Sequence, residues 1–216
     1  MKIAVIQAST QTSKNELIFE ETKRAVAKHG YEVFNFGVTI EDSELSYIQV
    51  SLAVGLLLNS GAVDFVVTGC SSGVGMSIAC NTLPNVISGY LPTPTDAFLF
   101  GRINNGNCAS LPLGLNFGWA GELNLRFTLE KLFEEPLNTG YPEESAERKK
   151  RDADLLKAIK SFSHHGIVQI LNQLDVAVIN PVLQKQDLVK FLLRNGTNTD
   201  ISNYLIEQTT DLNHVT

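Results

Sequence analysis

Positive charge is scarce in this sequence: 17 Lys and Arg stand against 23 Asp and Glu, a net charge of −6 over 216 residues. No basic field is available to hold a nucleic-acid backbone or an anionic membrane, so neither is an expected partner. Long apolar runs are missing as well. Stretches such as Leu52–Leu58 fall far short of the ~20 residues a membrane span needs, and the start MKIAVIQAST lacks a cleavable hydrophobic region. Cysteine is sparse, with Cys70, Cys80 and Cys108 alone. Their odd number and lack of metal-ligand spacing predict free thiols in a reducing compartment, and so a soluble cytoplasmic protein with no metal.

What is present is apolar material enough for a core: 44% of residues are hydrophobic and 19% charged, which excludes disorder over most of the length. Short buried runs alternate with helical patterns. KIAVIQA at the start, YEVFNFG at Tyr31–Gly37 and VDFVVT at Val63–Thr68 read as strands. Residues 16–29 and 46–60 read as the helices between them, stopped by Gly30 and by Asn59-Ser60-Gly61. The alternation continues with a helix near 76–83, strands near 86–90 and 108–113, and helices near 96–102 and 122–134. Repeated β-α-β units predict a doubly wound three-layer α/β/α fold with a parallel sheet. After the break at Pro136–Pro142 the composition shifts. Residues 1–155 are assigned to the α/β domain, and 156–216 to a C-terminal helical extension of two or three segments interrupted by Pro181 and Asn195-Gly196.

The chemistry concentrates at Val66–Ala79. A buried strand runs into a turn of small residues and then a helix start, so the amides of Ser71–Gly75 are expected to face outward at the carboxyl end of the sheet. Such a nest at a helix N-terminus favours an anion. Cys70 opens the turn, where a thiolate is favoured and a base or nucleophile is well placed. The sequence GCSSGVGMSIACN (Gly69–Asn81) resembles the corresponding segment of the ribose-5-phosphate isomerase B / galactose-6-phosphate isomerase family. MKIAV at the start, Gly30–Gly37 and Gly61-Ala62-Val63-Asp64 extend the likeness over about residues 1–155.

The resemblance implies an aldose–ketose isomerase of a small phosphorylated sugar, acting through an enediolate without a cofactor. It implies a homodimer or homotetramer whose sites lie between subunits. By the same likeness Cys70 is the base and Ser72 the assisting hydroxyl, with Ser71, Gly73, Val74 and Gly75 as the amide cradle. Asn104 also holds the enediolate. Arg148 and Arg151 are matched to phosphate binding, and Ser9 to a substrate contact. Three positions depart from the family. Ala8-Ser9 stands where the family has Asp-His, Ile103 takes the place of a ring-opening histidine, and Glu147 occupies the first of two arginine positions. The missing histidine points to a substrate that cannot close a ring, such as a four-carbon sugar phosphate, or to one opened by another group. The losses also leave open an epimerase using the same enediolate, or a non-catalytic sugar-phosphate-binding module. Among the remaining residues, Trp119 is expected to be buried, Asp96 to cap a helix, and His29, at the C-terminus of its predicted helix, to interact with the helix dipole.

Overall fold

The computed structural model describes residues 1–40, 42 and 44–214. Among them five parallel strands form one sheet: β1 (Lys2–Val5), β2 (Glu32–Asn35), β3 (Phe65–Cys70), β4 (Ser88–Tyr90) and β5 (Cys108–Pro112), in the order β2-β1-β3-β5-β4. The helices that cover it are α1 (Asn15–Val26), α2 (Tyr47–Asn59), α3 (Val74–Asn81), α4 (Pro94–Ile103) and α5 (Gly121–Leu132). The chain then adds α6 (Ala146–Ser163), α7 (Ile167–Leu171), α8 (Val176–Leu183), α9 (Gln186–Asn195) and α10 (Thr199–His214). The doubly wound α/β fold with extra C-terminal helices is therefore what the chain adopts.

Strand periodicity sorts the core into two layers, because successive side chains point to opposite faces. Ile3, Val5, Phe65, Val67, Ala109 and Leu111 pack against α1, α4 and α5. Ala4, Ile6, Val66, Cys70 and Cys108 face the other way, toward α2 and α3. Helix α2 is apolar nearly all round, with nine successive buried residues from Val50 to Leu58, and such a helix needs cover on both sides. The C-terminal helices supply it: Ile167, Leu171, Ile179, Val182, Leu183, Leu188 and Leu192 belong to the same apolar cluster. Four helices rather than two or three follow α6. Pro181 lies inside α8, where its missing N–H removes only one helical bond, and the break falls instead at Gln184 and Lys185.

Two further expectations change. Trp119 is fully exposed, at 101%. It stands in the turn after β5, where Ala120 has φ +62°, and Phe117 packs inward instead, with Lys14 Nζ 4.6 Å above its ring. The cap of α4 is Thr93, whose hydroxyl accepts from Asp96 N–H at 3.3 Å and donates to the Asp96 carboxylate at 2.6 Å. His29 closes the short turn that follows α1, and its Nε2 lies 2.7 Å from the carbonyl of Phe133 at the end of another helix, α5. No helix among the described residues is long and apolar enough to cross a membrane.

On the α1 face, Glu21 takes a two-pronged ion pair from Arg126 of α5, at 3.0 and 2.8 Å. The Arg126 hydrogen bonds hold the Glu21 carboxyl below its ordinary range, against burial, which pushes it up. A carboxyl depressed in the folded state adds stability above its unfolded pKa and loses it as pH falls through the folded one. Glu21→Gln is therefore expected to lower the melting temperature at neutral pH, with the gap from wild type closing below the ordinary carboxylate range. Thermal denaturation across a pH series checks this.

Candidate active site

The strand order reverses direction between β1 and β3, since the chain moves outward from β1 to β2 and then returns to build β3, β4 and β5 on the other side. In open parallel sheets the crevice at such a reversal, beyond the carboxyl ends of the strands, is where ligands bind. An open cavity of about 620 Å³ lies there, lined by Ala8, Ser9 and Thr10 after β1, by Cys70, Ser71, Ser72 and Gly75 after β3, and by Glu44, Ser46, Tyr47 and Gln49 at the start of α2.

Cys70 ends β3 and is 9% exposed. Its carbonyl accepts from Leu113 N–H at 3.0 Å, which ties the strand end to β5. Gly73 then turns the chain into α3 with φ +75° as N-cap, and no side chain caps that end. The first-turn amides of a helix have no partner inside it, so those of Val74 and Gly75 open α3 with the positive end of its dipole at this loop. The turn is held from below. The Gly73 carbonyl accepts from Ser110 Oγ at 2.6 Å, and the Ser71 carbonyl from the amides of Gly114 and Leu115 at 3.0 and 2.7 Å. Two of the turn's carbonyls are thus fixed toward the protein. A side chain at Gly73 has no room, since a Cβ would lie 2.8 Å from Leu111 C, Pro112 N and the Tyr90 ring.

The polar segment after β1 is a 3-10 turn at Ser9–Lys14 that leans onto this loop. Gln11 Nε2 donates to Ser71 Oγ at 2.9 Å, and Ser71 Oγ reaches Thr10 Oγ1 at 3.4 Å. Ser9 N–H donates to the Leu45 carbonyl at 3.0 Å, joining the segment to the approach to α2. Below, buried Gln7 accepts from Asn15 Nδ2 at 2.8 Å and donates to the Val38 carbonyl at 2.7 Å, while Asn15 and Asn35 pair through their amides. Ser46 and Gln49 form the capping box of α2 and line the cavity as well. The Ser72 hydroxyl has no hydrogen-bond partner among the described residues.

The fold thus gathers Ser9, Cys70, Ser71, Ser72 and Gly75 at one cavity, with Gly73 and Val74 in the same turn. It holds the other three predicted site residues apart. Asn104 is the exposed C-cap of α4, at the amino edge of the sheet, since β3 and β5 pair from Val66–Cys108 to Cys70–Pro112 and Cys70 lies at the far end. Arg148 pairs with Asp152 on α6 at 3.2 Å, and Arg151 is exposed on the same helix. That helix also keeps to the amino edge, with Lys160 Nζ 2.8 Å from the Asn81 carbonyl at the end of α3. Arg102, two residues before Asn104, is buried and donates to the carbonyls of Leu132 and Glu135. Cys80 and Cys108 are fully buried. Their mutual hydrogen bond and burial push the Cys80 thiol well up, so it stays protonated. Thr10, Gln11, Glu44, Tyr47 and Gln49 are cavity or loop contacts that the sequence did not single out. Among the described residues no cluster of His, Cys, Asp or Glu has the makings of a metal site.

Residues 3–150 match the ribose/galactose isomerase family. No curated protein matches the chain. Among solved structures, a 4-deoxy-L-threo-5-hexosulose-uronate ketol-isomerase complexed with a tartrate is 40% identical. The match covers 95% of this chain and 97% of that one, with a TM-score of 0.90. A protein described as ribose-5-phosphate isomerase from Vibrio parahaemolyticus is 36% identical over 96% of this chain and 98% of its own, with a TM-score of 0.91. The type B ribose 5-phosphate isomerase of Trypanosoma cruzi, at 20% identity, covers 76% of this chain and 100% of its own; its TM-score of 0.62 speaks for the fold alone.

The Gly73 turn makes a direct test of the loop's construction. Gly73→Ala forces a side chain into a left-handed conformation and against β5, and is expected to cost about 2 kcal/mol, or roughly 5 °C in Tm for a chain of this size. Thermal denaturation measures it; an unchanged Tm contradicts the tight seating of the turn.

Proposed function

The chain belongs to the ribose/galactose isomerase family, and from that membership we propose that it is a ketol-isomerase of a small open-chain sugar carrying an anionic group, with Cys70 as the base. One observation carries the reading: a thiol lies at the mouth of a cavity beside a turn of uncapped amides. Cys70 as thiolate removes the proton from the hydroxyl-bearing carbon next to the carbonyl. The electron pair of that C–H bond becomes the new C–C double bond, and the carbonyl pair moves onto oxygen as an enediolate. The amides of Ser71–Gly75 meet the charge where it develops, the arrangement that lowers such a barrier most. The Ser72 hydroxyl passes the remaining proton between the two oxygens. Return of the first proton to the neighbouring carbon completes the exchange of aldehyde and ketone, with no change of redox state overall.

The anionic group is assigned first to a phosphate, on the basic run Arg148–Arg151. A second reading, a uronate carboxylate, is favoured by the 40% identity with a hexosulose-uronate ketol-isomerase over nearly the whole of both chains. In either case the cavity of one chain supplies no Lys or Arg among its lining residues. Asn104 and α6 share the opposite edge of the sheet, so a second copy presenting that edge to the cavity delivers the asparagine and the basic run together. Exposed apolar residues suit such an assembly: Val74 in the Cys70 turn, Ile78 one turn further along α3, Trp119 after β5, and Leu155, Ile159 and Phe162 along one stripe of α6. The site is therefore assigned to a homodimer or larger homo-oligomer.

Two measurements check these assignments. NMR detection of solvent deuterium entering C1 or C2, over a panel of four- to six-carbon sugar phosphates and keto-uronates, is expected to find exchange with wild type and none with Cys70→Ala. The member that exchanges identifies the anion. Exchange retained without Cys70 overturns the base, and tight binding with no exchange supports a binding module instead. Light scattering is expected to give at least a dimer, and a monomer that still turns over substrate contradicts the shared site.

A further inference from the structure

A buried cation in the C-terminal helices pairs with Asp42, two residues before Glu44 of the cavity wall. Lys185 lies between α8 and α9, with its side chain 7% exposed. Its Nζ is 2.6 Å from Asp42 Oδ1 and 3.3 Å from Asp187 Oδ2. The second oxygen of Asp42 accepts from the Thr39 amide at 2.6 Å and the Thr39 hydroxyl at 3.0 Å, so both carboxylate oxygens are committed. Burial raises the Asp42 carboxyl, but the hydrogen bonds from Lys185 and Thr39 outweigh it and hold the group below its ordinary range. Gly37 leaves the room for this arrangement: a Cβ there would lie 2.5 Å from Asp42 Oδ2.

Asp42 belongs to the connection between β2 and α2, which brings Glu44, Ser46 and Tyr47 to the cavity. A few residues from the ion pair, Leu45 is buried in the core and its carbonyl takes the Ser9 amide. An ammonium withdrawn from water is costly unless paired, and removing one member of a buried pair leaves the other uncompensated. The tie is therefore not one of the exposed pairs that contribute little. Phe191 of α9 packs on Phe34 and Phe36 with ring centroids 4.7 and 5.0 Å apart, which seats the same helices against β2.

We propose that Lys185 is a positioning residue: its ion pair with Asp42 fixes the cavity wall carrying Glu44, Ser46 and Tyr47 beside Cys70. This gives the C-terminal helices a part in the site, and it rests on the reading of that cavity as the active site.

The test uses the full chain with Lys185→Met, Lys185→Arg and Asp42→Asn. Iodoacetamide labelling mapped by mass spectrometry reads the wall without turnover, because Cys70 borders the cavity while Cys80 and Cys108 are fully buried. Lys185→Met is expected to speed labelling of Cys70 by about five-fold or more while the other two cysteines stay protected, since the opening is local. It is also expected to lower kcat/KM by about ten-fold, as a misplaced wall loosens substrate alignment. Lys185→Arg keeps most of both properties, and Asp42→Asn reproduces the labelling change. The double variant, Lys185→Met with Asp42→Asn, is expected to be no worse than either alone. Wild-type labelling of Cys70 in both Lys185→Met and Asp42→Asn overturns the proposal, as does simultaneous labelling of all three cysteines in both, which marks general unfolding. If no substrate turns over, the functional reading fails while labelling still decides the role of Lys185.

Discussion

A sheet covered on both faces has only its ends left for a ligand. Here α1, α4 and α5 close one face and α2 and α3 the other, so the side chains of the strands are taken up by the two apolar layers. Parallel strands bring all their carboxyl ends to one edge, and the reversal of order between β1 and β3 opens the crevice there. The position of Cys70 follows from that constraint. It is the last residue of the central strand, on the α2 face, at the one edge where a side chain reaches both core and cavity.

A second layer of polar contacts makes this edge rigid. Ser110 and the amides of Gly114 and Leu115 hold the carbonyls of the Cys70 turn, and the Gln7, Asn15 and Asn35 amides satisfy one another beneath the segment after β1. Buried polar networks of this kind are stable only when each member is paired. The Ser110, Gly114 and Leu115 contacts fix two carbonyls of the turn before any ligand arrives, and fixed dipoles are what stabilisation of a transient oxyanion requires. The C-terminal helices extend the same logic. They cover the apolar helix α2 and, through Lys185, hold Asp42 in the connection that leads to the cavity.

The strands β1 and β3 were legible because each is a short run rich in Val and Ile or Thr, the others because they fall between turn residues in the β-α alternation, and the Cys70 loop because small residues, a thiol and a helix start follow one another directly in the chain. Trp119 misled: a lone tryptophan is usually at least partly buried, but the left-handed turn at Ala120 carries it outward. Glu44, Tyr47 and Gln49 carried no local signal, because they are ordinary polar and aromatic residues about 25 positions before Cys70. Thr10 and Gln11 sat in a stretch readable only as a polar loop.

The sequence by itself determined the α/β class, the placement of the thiol at a strand end, and the amide-rich turn, since these depend on neighbours within a few residues. Tertiary structure decided which side chains share the cavity with Cys70 and which stay at the far edge. It separated Asn104 and α6 from the thiol by the length of the sheet, and it joined Lys185 to Asp42 across 143 residues. Such pairings depend on strand order and on where helices dock, and those are settled by burying apolar faces together, a non-local balance that no short window of sequence contains.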